Sequence, residues 1–473
     1  MSSRKAVSQV VETATVAGLT HTGEGIVRGD GKTVFVAGAL PGESIKFRRT
    51  RGHRQHDEAE LVEVLSPAPE RVVPRCAHFG VCGGCALQHL SPEAQIEASQ
   101  TELKENFERV GRVTPRTWLA PLRGPVWGYR RRARLGAKYV TKKAKVLVGF
   151  RERLAPYIAD IQHCDVLSPP VGDLITPLAT LLQALTISER VPQIEVAVAD
   201  NAVALVLRVL NPPTPADLDQ LREFGKTHRV RIYLQPGGLD SVHPLDAPGE
   251  PLAHGSSDRA ASEGIPSGDG LRYALPQFKL ELEFLPTDFI QINGAVNEAL
   301  VSRAVELLEL TPTSQVLDLF CGIGNFTLPL ARSAGHVVGV EGDPALVARA
   351  RHNAQRNGLQ NTEFHVADLA RLPTDTATAA QGAPWLRKGY THVVLDPPRA
   401  GAREVLASVG NLNPQRVLYI SCHPGSLARD LGVLVNEQGF ILEAAGVLDM
   451  FPHTAHFESL ALLTPGKRKG RAT

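Results

Sequence analysis

The sequence predicts a multidomain α/β protein that ends in a doubly wound, mostly parallel sheet. Three observations carry this. From about residue 296, short Val/Leu-rich segments alternate with helical ones, the pattern of a parallel sheet covered on both faces. A glycine-containing loop, Asp318 to Asn325, closes the first of those segments. The 473-residue length exceeds what one ordinary core supports. Hydrophobic residues at 43% and charged residues at 21% describe a soluble globular chain. No apolar run reaches membrane-spanning length, and the first residues lack the apolar stretch of a secretory signal, so a cytoplasmic setting without a membrane partner is expected.

Residues 1–67 read as a small β-barrel. Apolar and polar residues alternate at 10–17, 25–28, 33–36, 43–49 and 59–65, five strands separated by turns such as Pro41-Gly42. Small barrels of this OB-like kind often serve nucleic acids. Residues 1–165 hold 26 Lys and Arg against 17 Asp and Glu, whereas the remainder holds 25 against 32. A cationic first third points to an anionic partner docking there.

Residues 68–275 form the predicted central α+β part. Cys76, Cys82 and Cys85 crowd into ten residues, and Cys164 is the only other cysteine ahead of the parallel sheet. In a reducing compartment such clustering favours metal or cluster ligation over disulfides. Four thiolates suit either tetrahedral zinc or a [4Fe–4S] cluster, and spacing leaves both open. A helix is expected over 91–110, with Ser91 as cap and Pro92 in the first turn. Residues 129–145 carry eight Lys and Arg and no acid. Alternation over 130–135 predicts a strand with Arg on both faces, suited to phosphate contacts and base stacking beside Tyr129 and Trp127. Residues 236–270, rich in Gly, Pro, Ser and Asp, read as a long loop or poorly ordered insert.

Residues 276–473 hold the parallel sheet. A helix at 296–308 leads into strands at 316–319, 337–341, 363–366, 392–396 and 416–420. Two more, at 440–447 and 457–463, are expected to pair antiparallel at one edge. The Asp318 loop contains Gly322 and Gly324 but not the dinucleotide fingerprint, and its acidic start suits a cationic ligand better than a pyrophosphate. Glu341 ends the second strand, where a carboxylate can take both hydroxyls of a ribose, and Asp368 follows the third. Asp396-Pro-Pro-Arg399 follows the fourth; enzymes that methylate exocyclic nitrogens carry an aromatic where Arg399 stands. Cys422 follows the fifth strand, and the helix starting near Pro424 is expected to favour its thiolate. Glu458 lies in Phe-Pro-His-Thr-Ala-His-Phe-Glu, with His453 and His456 as competing bases. A nucleophilic thiol, a carboxylate base and a cofactor loop are what methylation of C5 of uracil requires, because C5 becomes nucleophilic only after addition at C6. A cytosine-5 enzyme would carry a Pro-Cys where Pro397-Pro398 stand.

At these residues the chain resembles the RNA uracil-5-methyltransferases. The 289–293 run Phe-Ile-Gln-Ile-Asn, the Asp318 loop, Asp396-Pro-Pro-Arg, Ser421-Cys422 and the His453-Thr454 segment ending in Glu458 match that family in order and spacing. The resemblance implies a Rossmann-like class I methyltransferase that uses S-adenosylmethionine, with Cys422 as nucleophile and Glu458 as base. It implies Gln291, Phe320, Asn325, Glu341, Asp368 and Asp396 around cofactor and uracil. It also implies a TRAM-like first domain, a [4Fe–4S] cluster on Cys76, Cys82, Cys85 and Cys164, and a monomer acting on large-subunit (23S) ribosomal RNA. The alternatives are the same chemistry on another ribosomal or transfer-RNA uridine, or a silent iron–sulfur RNA-binding assembly factor. One departure stands out: His423 follows the nucleophile where the family usually has Asn.

Overall fold

The computed structural model describes residues 10–29, 31–246, 270–370, 383–387 and 389–466. These fall into two compact units. The first comprises Met1–Glu102, Phe150–Ala159 and Phe451–Phe457; the second comprises Leu103–Gly149, Asp160–Met450 and Glu458–Thr473.

The first unit is built on a six-stranded sheet: β1 (Val11–Thr15), β2 (Gly18–Leu19), β3 (Glu24–Val27), β4 (Thr33–Ala37), β5 (Ser44–Gly52) and β6 (His56–Ser66). Its order is β1-β5-β6-β4-β3-β2. The two-residue β2, too short to show a period, is the strand that the sequence did not predict. Alternation in β4 and β5 turns Val34, Val36, Ile45 and Phe47 inward, where they join Val16, Val27, Ala39 and Ala59 in one apolar cluster. Helix α1 (Pro92–Asn106) begins at its predicted cap, with Ser91 Oγ accepting the Ala94 amide at 3.3 Å.

In the second unit the chain continues through a π-helical turn, Phe107–Gly111, so the helix predicted to reach 110 changes hydrogen-bond pattern at Phe107. Strand β7 (Thr117–Trp118) follows. Next comes a six-stranded sheet of β8 (Arg132–Val140), β9 (Lys145–Gly149), β10 (Gln193–Val198), β11 (Val203–Arg208), β12 (Val230–Gln235) and β13 (His243–Pro244), ordered β13-β12-β11-β10-β8-β9. Helices α2 (Ile175–Ala184) and α3 (Pro215–His228) accompany it, the latter opened by a Thr214/Asp217 capping box. Ala133 and Leu135 of β8 are buried, and Arg132 and Arg134 share the opposite face; Arg131, which the predicted strand placed on the other face, precedes β8. Both meet Glu195 of β10, at 3.7 and 3.0 Å, and Arg131 pairs with Asp200 at 2.9 Å. Much of the basic run is therefore committed to internal ion pairs. The stretch read as a loop from 236 carries a 3₁₀ turn, Leu239–Ser241, and strand β13; residues 247–269 lie outside the described residues.

A hairpin, β14 (Leu271–Leu275) with β15 (Leu280–Phe284), precedes α4 (Gly294–Leu308). The large sheet then comprises β16 (Gln315–Leu319), β17 (His336–Glu341), β18 (Thr362–Val366), β19 (His392–Leu395), β20 (Arg416–Ser421), β21 (Phe440–Leu448) and β22 (Glu458–Pro465). Its order is β18-β17-β16-β19-β20-β22-β21-β7. The first five strands are parallel, and β22 lies antiparallel between β20 and β21. Every residue of β19 is buried, as a doubly covered strand requires. Helices α5 (Thr327–Ala331), α6 (Pro344–Arg356), α7 (Arg403–Leu412) and α8 (Pro424–Gly432) connect the strands. Strand order reverses between β16 and β19, and ligands of open α/β sheets bind at the carboxyl ends around such a point. Gly111 carries α8 close by: a Cβ there would lie 2.4 Å from the Ala428 carbonyl oxygen.

Candidate active site

The candidate residues gather along the carboxyl edge of the large sheet. Phe320 follows β16 with a left-handed φ of 66°, and its amide and that of Cys321 both donate to the Val340 carbonyl, at 2.9 and 3.1 Å. Gly324 takes φ 96°, and a Cβ there would fall 2.2 Å from Leu328 Cδ1, so only glycine fits the turn. Asp318, at the base of the loop, is fully buried; its Oδ2 accepts Thr327 Oγ1 at 2.5 Å, and its Oδ1 has no hydrogen-bond partner among the described residues. Burial pushes this carboxyl up to about 7 against the Thr327 hydrogen bond, with the charge of Asp396 adding to the rise.

Glu341, closing β17, accepts the Gly322 amide at 3.2 Å on one oxygen and the Gly342 and Asp343 amides at 2.7 and 3.1 Å on the other. The second strand thereby holds the glycine loop of the first. Asp368 lies two residues past β18 and accepts the Ala370 amide at 3.0 Å. Asn325 exchanges amide hydrogen bonds with Asn297 of α4, at 2.9 and 3.0 Å, and accepts the Tyr273 hydroxyl at 2.9 Å. Gln291 lines a small pocket with Asn297, Tyr273 and Arg131. Asn297, Tyr273 and Thr327 were not singled out from the sequence. Asn297 offered one weak signal, a buried amide on an otherwise apolar helix face.

Strand register brings the reactive pair together. In the β20–β22 ladder Ser421 faces Ser459, and Ser459 Oγ donates to the Ser421 carbonyl at 3.1 Å. Continued by one residue past the end of β20, the same register points Cys422 toward Glu458, whose charge acts on the thiol. Asp396 ends the parallel neighbour β19, and its amide donates to the Leu319 carbonyl. Burial pushes Asp396 up to about 7. Glu458, 5% exposed, is pushed well above the usual carboxylate range by burial and then by the charge of Asp396, with Arg399 opposing. Arg399, noted in the sequence only for replacing an aromatic, is thus the cation of this cluster.

The expected lowering of the Cys422 pKa by the helix that follows does not hold. Burial pushes the thiol up to about 11, Glu458 adds to the rise, Arg399 opposes it and Asp396 adds further. A thiolate is costly in a half-buried site that already faces two carboxylates. Alkylation of Cys422 by iodoacetamide, taken as the difference between wild type and Cys422→Ala without added substrates, should therefore rise about tenfold per pH unit up to about pH 10. A plateau near pH 8 would contradict this environment.

His423 caps α8: its Nδ1 accepts the Ser426 amide at 3.1 Å. An Asn side chain at the same position would cap through its oxygen, so the departure at 423 preserves the cap. His453 has its Nδ1 3.3 Å from the Gln95 amide nitrogen, and His456 is exposed.

Of the four cysteines, Cys76, Cys82 and Cys85 belong to the first unit and Cys164 to the second; all are half-buried and free of disulfides. The Gly84 amide lies 3.4 Å from Cys82 Sγ, and a Cβ on Gly83 would lie 3.0 Å from the Arg151 carbonyl oxygen.

The family model described as tRNA (Uracil-5-)-methyltransferase matches residues 275–465. An Alkalilimnicola ehrlichii protein named 23S rRNA (uracil(1939)-C(5))-methyltransferase RlmD is 50% identical over 447 residues, spanning 94% of this chain and 95% of its own. A Nitrosococcus oceani protein of the same name is 49% identical over 461 residues, 97% of each chain. The crystal structure of Pyrococcus abyssi tRNA (uracil-54, C5)-methyltransferase in complex with S-adenosyl-L-homocysteine matches with a TM-score of 0.70 at 23% identity, covering 96% of this chain and 99% of its own. At that identity the likeness is one of fold.

Proposed function

The chain belongs to the 23S rRNA (uracil-C5)-methyltransferase family, and from that premise we propose that it methylates C5 of a uridine in 23S ribosomal RNA, the uridine at 1939 named for its relatives. The observation that carries the chemistry is the β20–β22 register, which points a thiol toward a buried carboxyl at the sheet edge.

S-adenosylmethionine is the second substrate and supplies the methyl group as a sulfonium. Asp318, with its unpartnered buried oxygen, and Glu341, tied to the glycine loop, fit a cationic ligand carrying a ribose. Gln291, Phe320, Asn325, Asp368 and Asp396 complete the proposed surroundings of cofactor and uracil. The Cys422 thiolate attacks C6 of the uracil, forming a C–S bond and moving the C5=C6 electron pair onto C5. C5, now nucleophilic, attacks the methyl carbon of the sulfonium; the S–CH3 bond breaks with its electron pair staying on sulfur, and neutral S-adenosylhomocysteine leaves. Glu458 then removes the C5 proton; that bonding pair re-forms the double bond as the C6–S bond breaks and Cys422 leaves as thiolate. Asp396 and Arg399 set the charge around both groups.

Residues 1–67 serve as a TRAM-like RNA-binding domain, 68–275 as the cluster-bearing and RNA-contacting part, and 276–473 as the methyl-transferring part of a cytoplasmic monomer. Cys76, Cys82, Cys85 and Cys164 are the proposed ligands of a [4Fe–4S] cluster. The donor set suits it, and an amide pointing at Cys82 Sγ is what a ligating thiolate attracts. Protein purified without oxygen should carry iron and acid-labile sulfide in equal amounts, and Cys85→Ser should lose both; zinc in their place would refute the assignment. The methylation chemistry is tested by trapping on RNA carrying 5-fluorouridine, whose C5 fluorine cannot leave as a cation. Wild type should remain covalently attached through Cys422, and a protein that binds this RNA and cofactor without forming an adduct would refute C6 addition.

A further inference from the structure

Glu458 is the first residue of its strand, where the ladder ends and a chain frays unless the preceding segment is tied down. His453 ties that segment down. It stands in the left-handed region at φ 67°, a conformation unfavourable for a non-glycine residue. The neighbouring contacts hold it there. Its carbonyl accepts the Ala86 and Leu87 amides at 2.8 and 2.9 Å. Its own amide donates to Gln95 Oε1 at 2.8 Å, and its Nδ1 lies 3.3 Å from Gln95 Nε2.

Gln95 is 6% exposed and His453 3%, so these bonds are shielded from water. Gln95 Nε2 is itself placed by the Leu87 and Leu90 carbonyls, at 3.1 and 2.7 Å. Ala86 and Leu87 follow Cys85 directly in the chain. Within the loop, Thr454 turns back on the Phe451 carbonyl through its amide at 3.1 Å and its hydroxyl at 2.8 Å. From His453 the chain runs five residues to Glu458.

We propose that this clamp positions Glu458 for proton removal, so that Gln95 is a positioning residue for the last chemical step and the cysteine-bearing segment serves catalysis by holding the 451–457 loop. The inference rests on the reading of Glu458 as the base. It explains why residues so far apart in sequence share a buried hydrogen-bond hub. A displacement of about 1 Å in a catalytic group can cost on the order of a hundredfold in rate. Addition at C6 and methyl transfer require only Cys422 and the bound substrates, and they precede the step that needs Glu458. Loosening the clamp therefore stalls the reaction after methylation.

Gln95→Leu tests this with two RNAs in the presence of S-adenosylmethionine. On 5-fluorouridine RNA the variant should form its covalent adduct at the wild-type rate, which shows that fold and nucleophile are intact. On ordinary uridine RNA its turnover should fall about tenfold to a hundredfold, with a methylated protein–RNA complex accumulating on a denaturing gel. Turnover within twofold of wild type and no accumulated complex would overturn the clamp. Should Gln95→Leu lose the fluorouridine adduct, Gln95→Asn, which keeps the amide but shortens its reach, is read in the same way; loss of the adduct in both variants assigns Gln95 to the fold alone and overturns its positioning role. Failure of wild type to form the fluorouridine adduct is a separate result, which overturns the chemistry of Cys422 on which the clamp rests.

Discussion

Replacing Cys422 with alanine is expected to lower methylation of ribosomal RNA by on the order of a thousandfold or more, while cofactor and RNA still bind. In the proposed mechanism the thiol supplies the electron pair that makes C5 nucleophilic; Cys321, the other cysteine of residues 276–473, is buried in the glycine loop with its thiol pushed far up by burial. The half-buried Cys422 side chain leaves only a small gap when truncated, so the melting temperature should move little. The measurement pairs single-turnover methyl incorporation with the fluorouridine trap. A Cys422→Ala protein that keeps a tenth of wild-type activity would remove covalent catalysis from the account.

Glu458→Gln should produce a different failure. Glutamine keeps the size and hydrogen-bonding outline of the buried side chain but cannot accept the C5 proton. Turnover should drop about 10²–10⁴-fold, the span of general-base contributions. Because methyl transfer comes first, the variant should accumulate a methylated covalent complex on natural RNA, where Cys422→Ala accumulates none. The sign of the pH dependence follows from the same site. Burial and Asp396 raise the Glu458 pKa, so lowering the pH protonates the base and slows proton removal, and the wild-type rate should rise with pH. Release of product by Glu458→Gln at the wild-type rate would move the base role to another group.

Much of the parallel sheet was readable because its strands are buried on both sides and so appear as short Val/Leu runs ended by a Gly, Asp or Pro. The same property made its carboxyl edge readable, since chemistry-bearing residues such as Asp396 and Cys422 stand directly after those runs. Features that depend on partners remote in sequence were not readable. The two residues of β7 form a strand only because β21 offers a free edge. The ionisation of Cys422 depends on burial and on the carboxylates of Glu458 and Asp396, which belong to two other strand ends. The arginines of β8 showed their charge in the sequence but not the Glu195 that takes two of them. Gln95 and His453 lie 358 residues apart, and the motif around His453 does not show which residue holds it.

The antiparallel β22 has a consequence for which changes of chain length the protein can absorb. Neighbouring residues of a strand face opposite ways, so a slip of one position between β22 and β20 would carry Glu458 to the far side of the sheet while leaving nearly every backbone hydrogen bond replaceable. On the role proposed for Glu458, such a protein would lose its base. An inserted or deleted residue between Thr454 and Ser459 that shifts this register is therefore expected to lower methylation. The fully buried Ser459, whose hydroxyl ties β22 to the Ser421 carbonyl, is the peg against that slip.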